Sequence, residues 1–215
     1  MNEPNQPHTK DWRVIHSLAF FIVFLCTIAV TSLHRWPWPW LAPLLGYFAL
    51  ILCIPSLRRS FSWLSFGRIE LKIAAFTFLI ILVTAAVLLA ISAPHFPNGT
   101  RHLLPFEALC GVFISCTFFA VLNATIEELV FRGILFDSLD SIGGKWCAIL
   151  VSAFVFGFGH LHGIPSGASG ACLAMIYGVS LGYLRFWSGG LALPILAHIG
   201  ADATIVYRIV HAGTI

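Results

Sequence analysis

The sequence predicts an all-α protein, a polytopic transmembrane helical bundle of about seven to eight spans. Of its 215 residues, 59% are hydrophobic and only 10% are charged, whereas a soluble domain usually carries about 25% charged residues. So few charges cannot cover a water-facing surface. Apolar runs of about 20 residues, the length that a helix needs to cross the hydrocarbon core, recur along the chain. The chain is therefore expected to be an integral membrane protein.

Seven apolar segments are long enough to be spans, and an eighth is open if the long fourth segment is broken or the tail re-enters the membrane. In chain order, the predicted spans are Val14–Leu33, Trp40–Leu57, Ile73–Ser92, Ala108–Asp137, Lys145–His160, Ala168–Phe186 and Leu191–Val210. The first is longer than a signal-peptide core and lacks a small-residue exit. The Trp-rich stretch after it suits a headgroup anchor, so we expect it to remain uncleaved.

The distribution of basic residues predicts the orientation. The loop Arg58–Lys72 carries four of them: Arg58, Arg59, Arg68 and Lys72. Because cytoplasmic loops collect Lys and Arg, this loop and the N-terminus are expected on the cytoplasmic side. The compact size and short tails favour a prokaryotic plasma membrane.

The six cysteines fall in apolar runs and form no CxxC pair, so they predict no metal site.

The fourth segment carries three charges within an apolar stretch: Glu127, Glu128 and Arg132. Three unpaired charges at the membrane midplane would cost on the order of 8–10 kcal/mol. Glu128 and Arg132 are four residues apart, which puts them on one helix face and allows an ion pair. Glu127 lies about 100° further round the helix and is free to face a cavity. The alternative is a shorter segment whose charges lie at the cytoplasmic interface.

Two later segments carry further polar pairs at helical spacing. Phe156 and His160 share a face near the end of the fifth segment, and His198 and Asp202 share a face within the seventh. Asp202 is placed to orient His198, as a carboxylate often does for a functional histidine. His162 points elsewhere on a helix and is the weaker candidate. The alternatives are a headgroup contact for His160 and a structural polar pair for His198 and Asp202.

The three motifs together resemble those of a known family, the CPBP family. Its name joins CAAX proteases and bacteriocin-processing enzymes, and it is also called the Abi family of type II CAAX prenyl endopeptidases. The motifs that carry the resemblance are Glu127-Glu128-x-x-x-Arg132, Phe156-x-x-x-His160 and His198-x-x-x-Asp202. Their order, spacing and membrane setting match, and Asp202 stands where family members have Asn or Asp.

The resemblance implies an intramembrane endopeptidase of the glutamic type. It implies that Glu127 is the general base that activates water and that His160 positions this water. It further implies that His198 and Asp202 stabilise the oxyanion of the tetrahedral intermediate. The expected substrate is a membrane-associated protein or peptide, such as a prenylated C-terminal tail, a peptide leader or a membrane-anchored regulator. No motif or basic patch suggests a nucleic-acid partner.

The remaining motif residues, Glu128, Arg132 and Phe156, are expected to support the geometry of the site. The resemblance favours a mechanism without a metal cofactor. The alternative is catalytic zinc, which one Glu and two His with an open position would suit, although no HExxH motif is present. Its ligands would be Glu127, His160 and His198.

The expected organisation has three parts: a cytoplasmic tail at 1–13, three N-terminal membrane helices within 14–107, and catalytic membrane helices within 108–215. Two other functions remain open. Intramembrane acids and histidines also mark ion paths, so the chain is alternatively a transporter or proton relay. It is also conceivable as an inactive family member that works as a binding or immunity scaffold, which the intact motifs disfavour.

Overall fold

The computed structural model describes residues 12–29, 36–91 and 111–212. These residues form eight α-helices and one π-helical segment, and they contain no β-strand. In chain order, the elements are α1 (Trp12–Ile28), α2 (Trp38–Cys53), α3 (Pro55–Ser60), α4 (Leu71–Ala90), α5 (Gly111–Glu128), the π-helical segment (Leu129–Leu135), α6 (Phe136–Gly159), α7 (Gly167–Ser188) and α8 (Ala192–Ala212). The all-α fold class is therefore confirmed.

Each predicted span coincides with a helix, but the second is shorter than expected, ending at Cys53 rather than at Leu57. Ile54 has an extended conformation (φ −107°, ψ 104°), because a proline disfavours the helical conformation of the residue before it. Pro55 then begins α3. The expected polar stretch 93–107, the end of the first span, the beginning of the fourth and most of the tail 1–13 lie outside the described residues.

The fourth and fifth predicted spans are separated at Gly144 rather than directly after Asp137. Helical structure continues to residue 143, and Gly144 then adopts φ 72° and ψ −178°. This conformation is accessible to glycine and strained for other residues. The part of α6 after Gly144 ends at Gly159, so that His160 lies just past the helix end.

Four stretches are long and apolar enough to cross a membrane by length and composition: Leu71–Ala90, Cys116–Gly159, Gly167–Ser188 and Ala192–Ile209. Two shorter apolar helices, Trp12–Thr27 and Trp38–Cys53, accompany them. Large apolar side chains of α4, among them Phe78, Leu79 and Leu82, are at least half exposed. A surface of this kind fits contact with lipid chains, and the protein is an integral membrane protein.

The packing of the later helices brings the polar motifs together. The closest neighbours are α5 with α8, α4 with α8, and α6 with α7. At Gly157, a Cβ atom would lie only 2.7 Å from the carbonyl oxygen of Ala171, so α6 and α7 approach each other closely there. The Gly and Phe alternation near the end of α6 thus permits a close helix contact, as expected from glycine.

Candidate active site

The backbone directly after the paired glutamates is π-helical. Such segments are short and are frequent at functional sites, and within a membrane their backbone oxygens need partners from the protein. Arg185 of α7, only 8% exposed, donates its Nε–H to the carbonyl of Arg132 (2.9 Å), and Ser17 of α1 donates to the carbonyl of Ile134 (3.0 Å). Side chains from two other helices therefore stabilise the segment.

Glu128 and Arg132 form the expected ion pair. Nη1 of Arg132 lies 2.8 Å from Oε1 of Glu128, and both side chains are 0% exposed. Nη2 of Arg132 also donates to the carbonyl of Gly178 on α7 (3.2 Å). These two charges are thus buried within the bundle. A buried pair of this kind is costly to break, because removing one partner leaves an uncompensated charge.

His198 joins α8 to both glutamates of α5. Its Nδ1 lies 2.8 Å from Oε1 of Glu128, the oxygen that also accepts from Arg132. On the other side of the ring, Nε2 lies 3.5 Å from Oε2 of Glu127 and 3.7 Å from Oδ1 of Asp202. The expected partner, Asp202, is therefore the more distant one, and Glu128 is the closest carboxylate to His198.

The two glutamates differ in access. The side chain of Glu127 retains 14% exposure, whereas that of Glu128 retains none. Oε2 of Glu127 is buried and has no hydrogen-bond partner among the described residues. Glu128 is committed to Arg132 and His198. Glu127 is therefore the glutamate beside the histidine that remains partly accessible.

Asp202 is held by Asn123 of α5, a residue that the sequence analysis did not single out. Nδ2 of Asn123 donates to Oδ2 of Asp202 (3.1 Å), and Nε1 of Trp36 donates to Oδ1 of Asn123 (3.2 Å). Because an indole N–H can only donate, this contact fixes the orientation of the Asn123 amide. Trp36 precedes α2, so the N-terminal part of the chain reaches the site through this bond.

Phe156 lies at the centre of the cluster and touches all three motifs. The guanidinium carbon of Arg132 lies 4.5 Å from its ring centroid, within the range of a cation–π contact. The rings of His160 and His198 lie 4.5 and 5.7 Å from it, centroid to centroid. The ring of Phe156 therefore packs against both histidines and supports their positions.

His160 is fixed by its own helix end. Its Nδ1 lies 3.0 Å from the carbonyl oxygen of Phe156. Since a carbonyl can only accept, Nδ1 carries the proton of this bond and Nε2 is left for other partners. His162, the weaker candidate, is exposed and does not contribute to the cavity described next.

A mainly apolar cavity of about 440 Å³ adjoins the cluster. One wall is formed by α4, including Phe76, Val83 and Leu88. Its polar end carries three of the four residues expected to be catalytic, together with one tyrosine: His160, His198, Asp202 and Tyr177. Glu127 is not part of the lining in the described structure; it meets the cavity through its contact with His198.

The zinc alternative requires three ligands that converge on one point. Among residues 12–29, 36–91 and 111–212, no group of three or more His, Cys, Asp or Glu side chains is arranged to hold a metal ion. Glu127, His160 and His198 therefore do not form a ligand set in this structure.

The comparison with protein families bears on the same residues. Residues 109–204 match the family model described as type II CAAX prenyl endopeptidase Rce1-like. This segment is Rce1-like. The match bears out the resemblance that the motifs indicated, and the matched segment covers slightly less than half of the chain while containing every motif residue. The similarity suggests a CAAX-type intramembrane protease acting on membrane-associated proteins. Neither a curated protein nor a solved structure matches the chain.

Proposed function

We propose that the chain is an intramembrane endopeptidase that hydrolyses a peptide bond of a membrane-associated protein or peptide with water activated by Glu127. The observation that supports this most is the meeting of Glu127, Glu128, His198 and Asp202, from α5 and α8, in one buried cluster. The Rce1-like match over residues 109–204 supports the same reaction class. Residues 108–215 would form the catalytic part.

The reaction begins when Glu127 takes a proton from water, and the hydroxide oxygen attacks the carbonyl carbon of the scissile peptide bond. The carbonyl π electrons move to oxygen and give a tetrahedral oxyanion. When the intermediate collapses, the C–N bond breaks, and the leaving nitrogen takes the proton from Glu127. One product then carries a new carboxyl group and the other a new amine, and Glu127 returns to its starting state. Proton transfer by a positioned side chain typically accelerates a reaction by about 10²–10⁴-fold.

His198 would stabilise the oxyanion, because its Nε2 faces the cavity end where Asp202 also lies. An ionised carboxylate repels an oxyanion, so Asp202 contributes through His198, which it helps to orient from 3.7 Å. A preorganised donor of this kind is worth more where water is excluded. His160 uses Nδ1 for its bond to Phe156. Its other ring nitrogen, Nε2, would hold the attacking water.

Glu128 and Arg132 would hold this geometry without touching the substrate, and Phe156, which also lines the cavity, would support them. The Glu128 carboxylate is bonded to Arg132 and to His198 through the same oxygen, which fixes the position of the imidazole. Arg132 is held in turn by Gly178 and by the face of Phe156. Catalytic groups need such support, since small displacements of a reacting group lower the rate strongly.

The cavity suggests the substrate class. Its walls are mainly apolar and its polar end adjoins the proposed base. A volume of about 440 Å³ lies within the range of sites that bury a small-molecule ligand, about 300–1,000 Å³. We therefore propose that an apolar or prenylated part of the substrate lies along α4 while the scissile bond reaches His160 and His198.

A comparison of membrane proteomes tests the reaction and identifies the substrate. Membranes carrying wild type, Glu127→Ala or Glu70→Ala are compared; Glu70 is an exposed glutamate that pairs with Arg68 outside the site. We expect an uncut protein to accumulate with Glu127→Ala alone. Identical proteomes in all three, together with a proton or ion flux lost only in Glu127→Ala, would instead support the transporter.

A chelator tests the metal-free mechanism. We expect 1,10-phenanthroline to leave the cleavage rate of the purified protein unchanged. A rate lost with the chelator and restored by added Zn²⁺ would contradict this part of the proposal and leave the endopeptidase assignment in place.

A further inference from the structure

Tyr177 of α7 lies beside the proposed oxyanion donor, although no motif contains it. Its ring meets that of His198 edge to face, with the centroids 5.8 Å apart and the planes at 83°. It lines the cavity together with His160 and Asp202. A residue in this position contacts whatever occupies the polar end of the cavity.

The hydroxyl of Tyr177 is buried and has no hydrogen-bond partner among the described residues. A buried tyrosine hydroxyl usually finds a partner, and leaving one unpaired is unfavourable. Three other buried side-chain atoms of the described chain share this condition, and all belong to the candidate site: Oε2 of Glu127, Oε2 of Glu128 and Nε of Arg132. The unsatisfied polar atoms are therefore concentrated where a substrate would bind.

The chemistry of these atoms limits what Tyr177 can bind. The carboxylate oxygens of Glu127 and Glu128 can only accept hydrogen bonds, whereas the phenol can donate one. The phenol has one proton to donate, and the group at the polar end of the cavity that takes this hydrogen bond is an acceptor. During hydrolysis of a peptide bond, the strongest acceptor that develops is the oxygen of the carbonyl under attack.

We propose that Tyr177 is a substrate-contacting catalytic residue whose hydroxyl donates a hydrogen bond to the reacting carbonyl oxygen. Tyr177 and His198 would then hold this oxygen from neighbouring positions on α7 and α8. The inference rests on the proposed function, since it assigns a role in the same reaction. Because the bond strengthens as negative charge develops on the oxygen, its loss lowers kcat more than it raises KM.

The same helix offers a matched control. Tyr183 lies six residues further along α7, where its ring packs on Phe76 and Trp187 with centroids 5.8 and 6.0 Å away. It is partly exposed and is not among the residues of the cavity. Tyr183→Phe removes the same hydroxyl from the same helix without touching the site.

The test uses the purified full chain in detergent micelles and a synthetic farnesylated CAAX peptide. We expect Tyr177→Phe to lower kcat by about 10²-fold, the scale of one oxyanion donor, with KM changed less than about twofold. Its unfolding temperature should stay equal or rise, because the variant removes an unsatisfied hydroxyl. Tyr183→Phe should keep the wild-type kcat.

Two results would overturn the inference: a kcat of Tyr177→Phe equal to that of Tyr183→Phe, or a fall in kcat that is matched by loss of folded protein. Glu127→Gln in the same assay tests the proposed function separately. If Glu127→Gln is inactive while Tyr177→Phe is fully active, only the role of Tyr177 is lost. If Glu127→Gln cleaves as fast as wild type, the proposed function itself fails.

Discussion

Two buried polar networks of the described residues, one in the N-terminal part and one in the C-terminal helices, differ in charge. In the first, Nε1 of Trp63 donates to the hydroxyl of Tyr47 (3.1 Å), and this hydroxyl lies 2.7 Å from Nδ1 of His16. No Asp, Glu, Lys or Arg side chain takes part in these two bonds. The second combines the Glu128–Arg132 ion pair with His198. Each network contains a nearly inaccessible histidine.

The networks also differ in how completely they are satisfied. The hydroxyl of Tyr47 accepts from Trp63 and has a proton left for His16, and none of these three side chains has a buried polar atom without a partner. The C-terminal network leaves Oε2 of Glu127 and the hydroxyl of Tyr177 without partners among the described residues. A complete buried network stabilises a fold, whereas an incomplete one needs an explanation. The difference assigns packing to the first network and chemistry to the second.

The largest loss of stability is expected when the arginine of the second network is removed. Arg132→Ala should lower the free energy of unfolding by about 3–5 kcal/mol, since Glu128 would remain buried without its partner. The matched control is Arg58→Ala, an exposed arginine of α3, with an expected change within about 0.5 kcal/mol. Denaturant titration in micelles measures both. Equal stabilities would show that the ion pair does not hold the cluster together.

The two buried histidines provide the sharpest test of the comparison. His198→Phe should lower kcat by about 10²–10³-fold, the cost of one oxyanion donor. His16→Phe should cost about 1–3 kcal/mol of stability, because a buried partner of Tyr47 is lost, while kcat per folded molecule stays unchanged. Peptide cleavage and unfolding are measured on both variants. If His16→Phe lowers kcat as much as His198→Phe does, the division into packing and chemistry is wrong.

Smaller effects on kcat are expected at Asn123 and Trp36, through which the N-terminal part of the chain contacts Asp202. Asn123→Ala should lower kcat about tenfold, since a hydrogen bond to a charged group is worth about 1.5–3 kcal/mol and Asp202 would lose its fixed orientation. Trp36→Phe removes the neutral bond to Asn123, keeps an aromatic ring beside Phe119, and should lower kcat about threefold. Trp38→Phe, an exposed tryptophan of α2, is the control. Wild-type rates for Asn123→Ala would mean that Asp202 needs no such support.

The sequence predicts those parts of the site that depend on spacing within one helix. The spacing of four residues predicts the contact of Glu128 with Arg132, and the low charge content predicts a membrane protein. The contact of His198 with Glu128 joins residues 70 positions apart. No local pattern specifies it, so the sequence paired His198 with Asp202, its nearest carboxylate along the helix.

The neutral members of the site were missed for a different reason. Asn123 and Tyr177 are ordinary residues of a membrane helix, and their roles arise only from their neighbours on α8. The π-helical segment has no sequence signal either, since two of its carbonyl groups accept from Ser17 and Arg185, which lie in distant parts of the chain. The apolar wall that α4 contributes likewise depends on how the helices pack.

The central claim is that Glu127 activates water within a membrane-embedded cluster. The most direct test is the single-turnover rate of cleavage of the farnesylated CAAX peptide by purified wild type, Glu127→Gln and Glu70→Gln. Glu127→Gln keeps the shape of the side chain but cannot take up a proton. The account predicts a rate lowered by about 10²–10⁴-fold with an unchanged unfolding temperature, and a wild-type rate for Glu70→Gln. A Glu127→Gln rate equal to that of Glu70→Gln would contradict it.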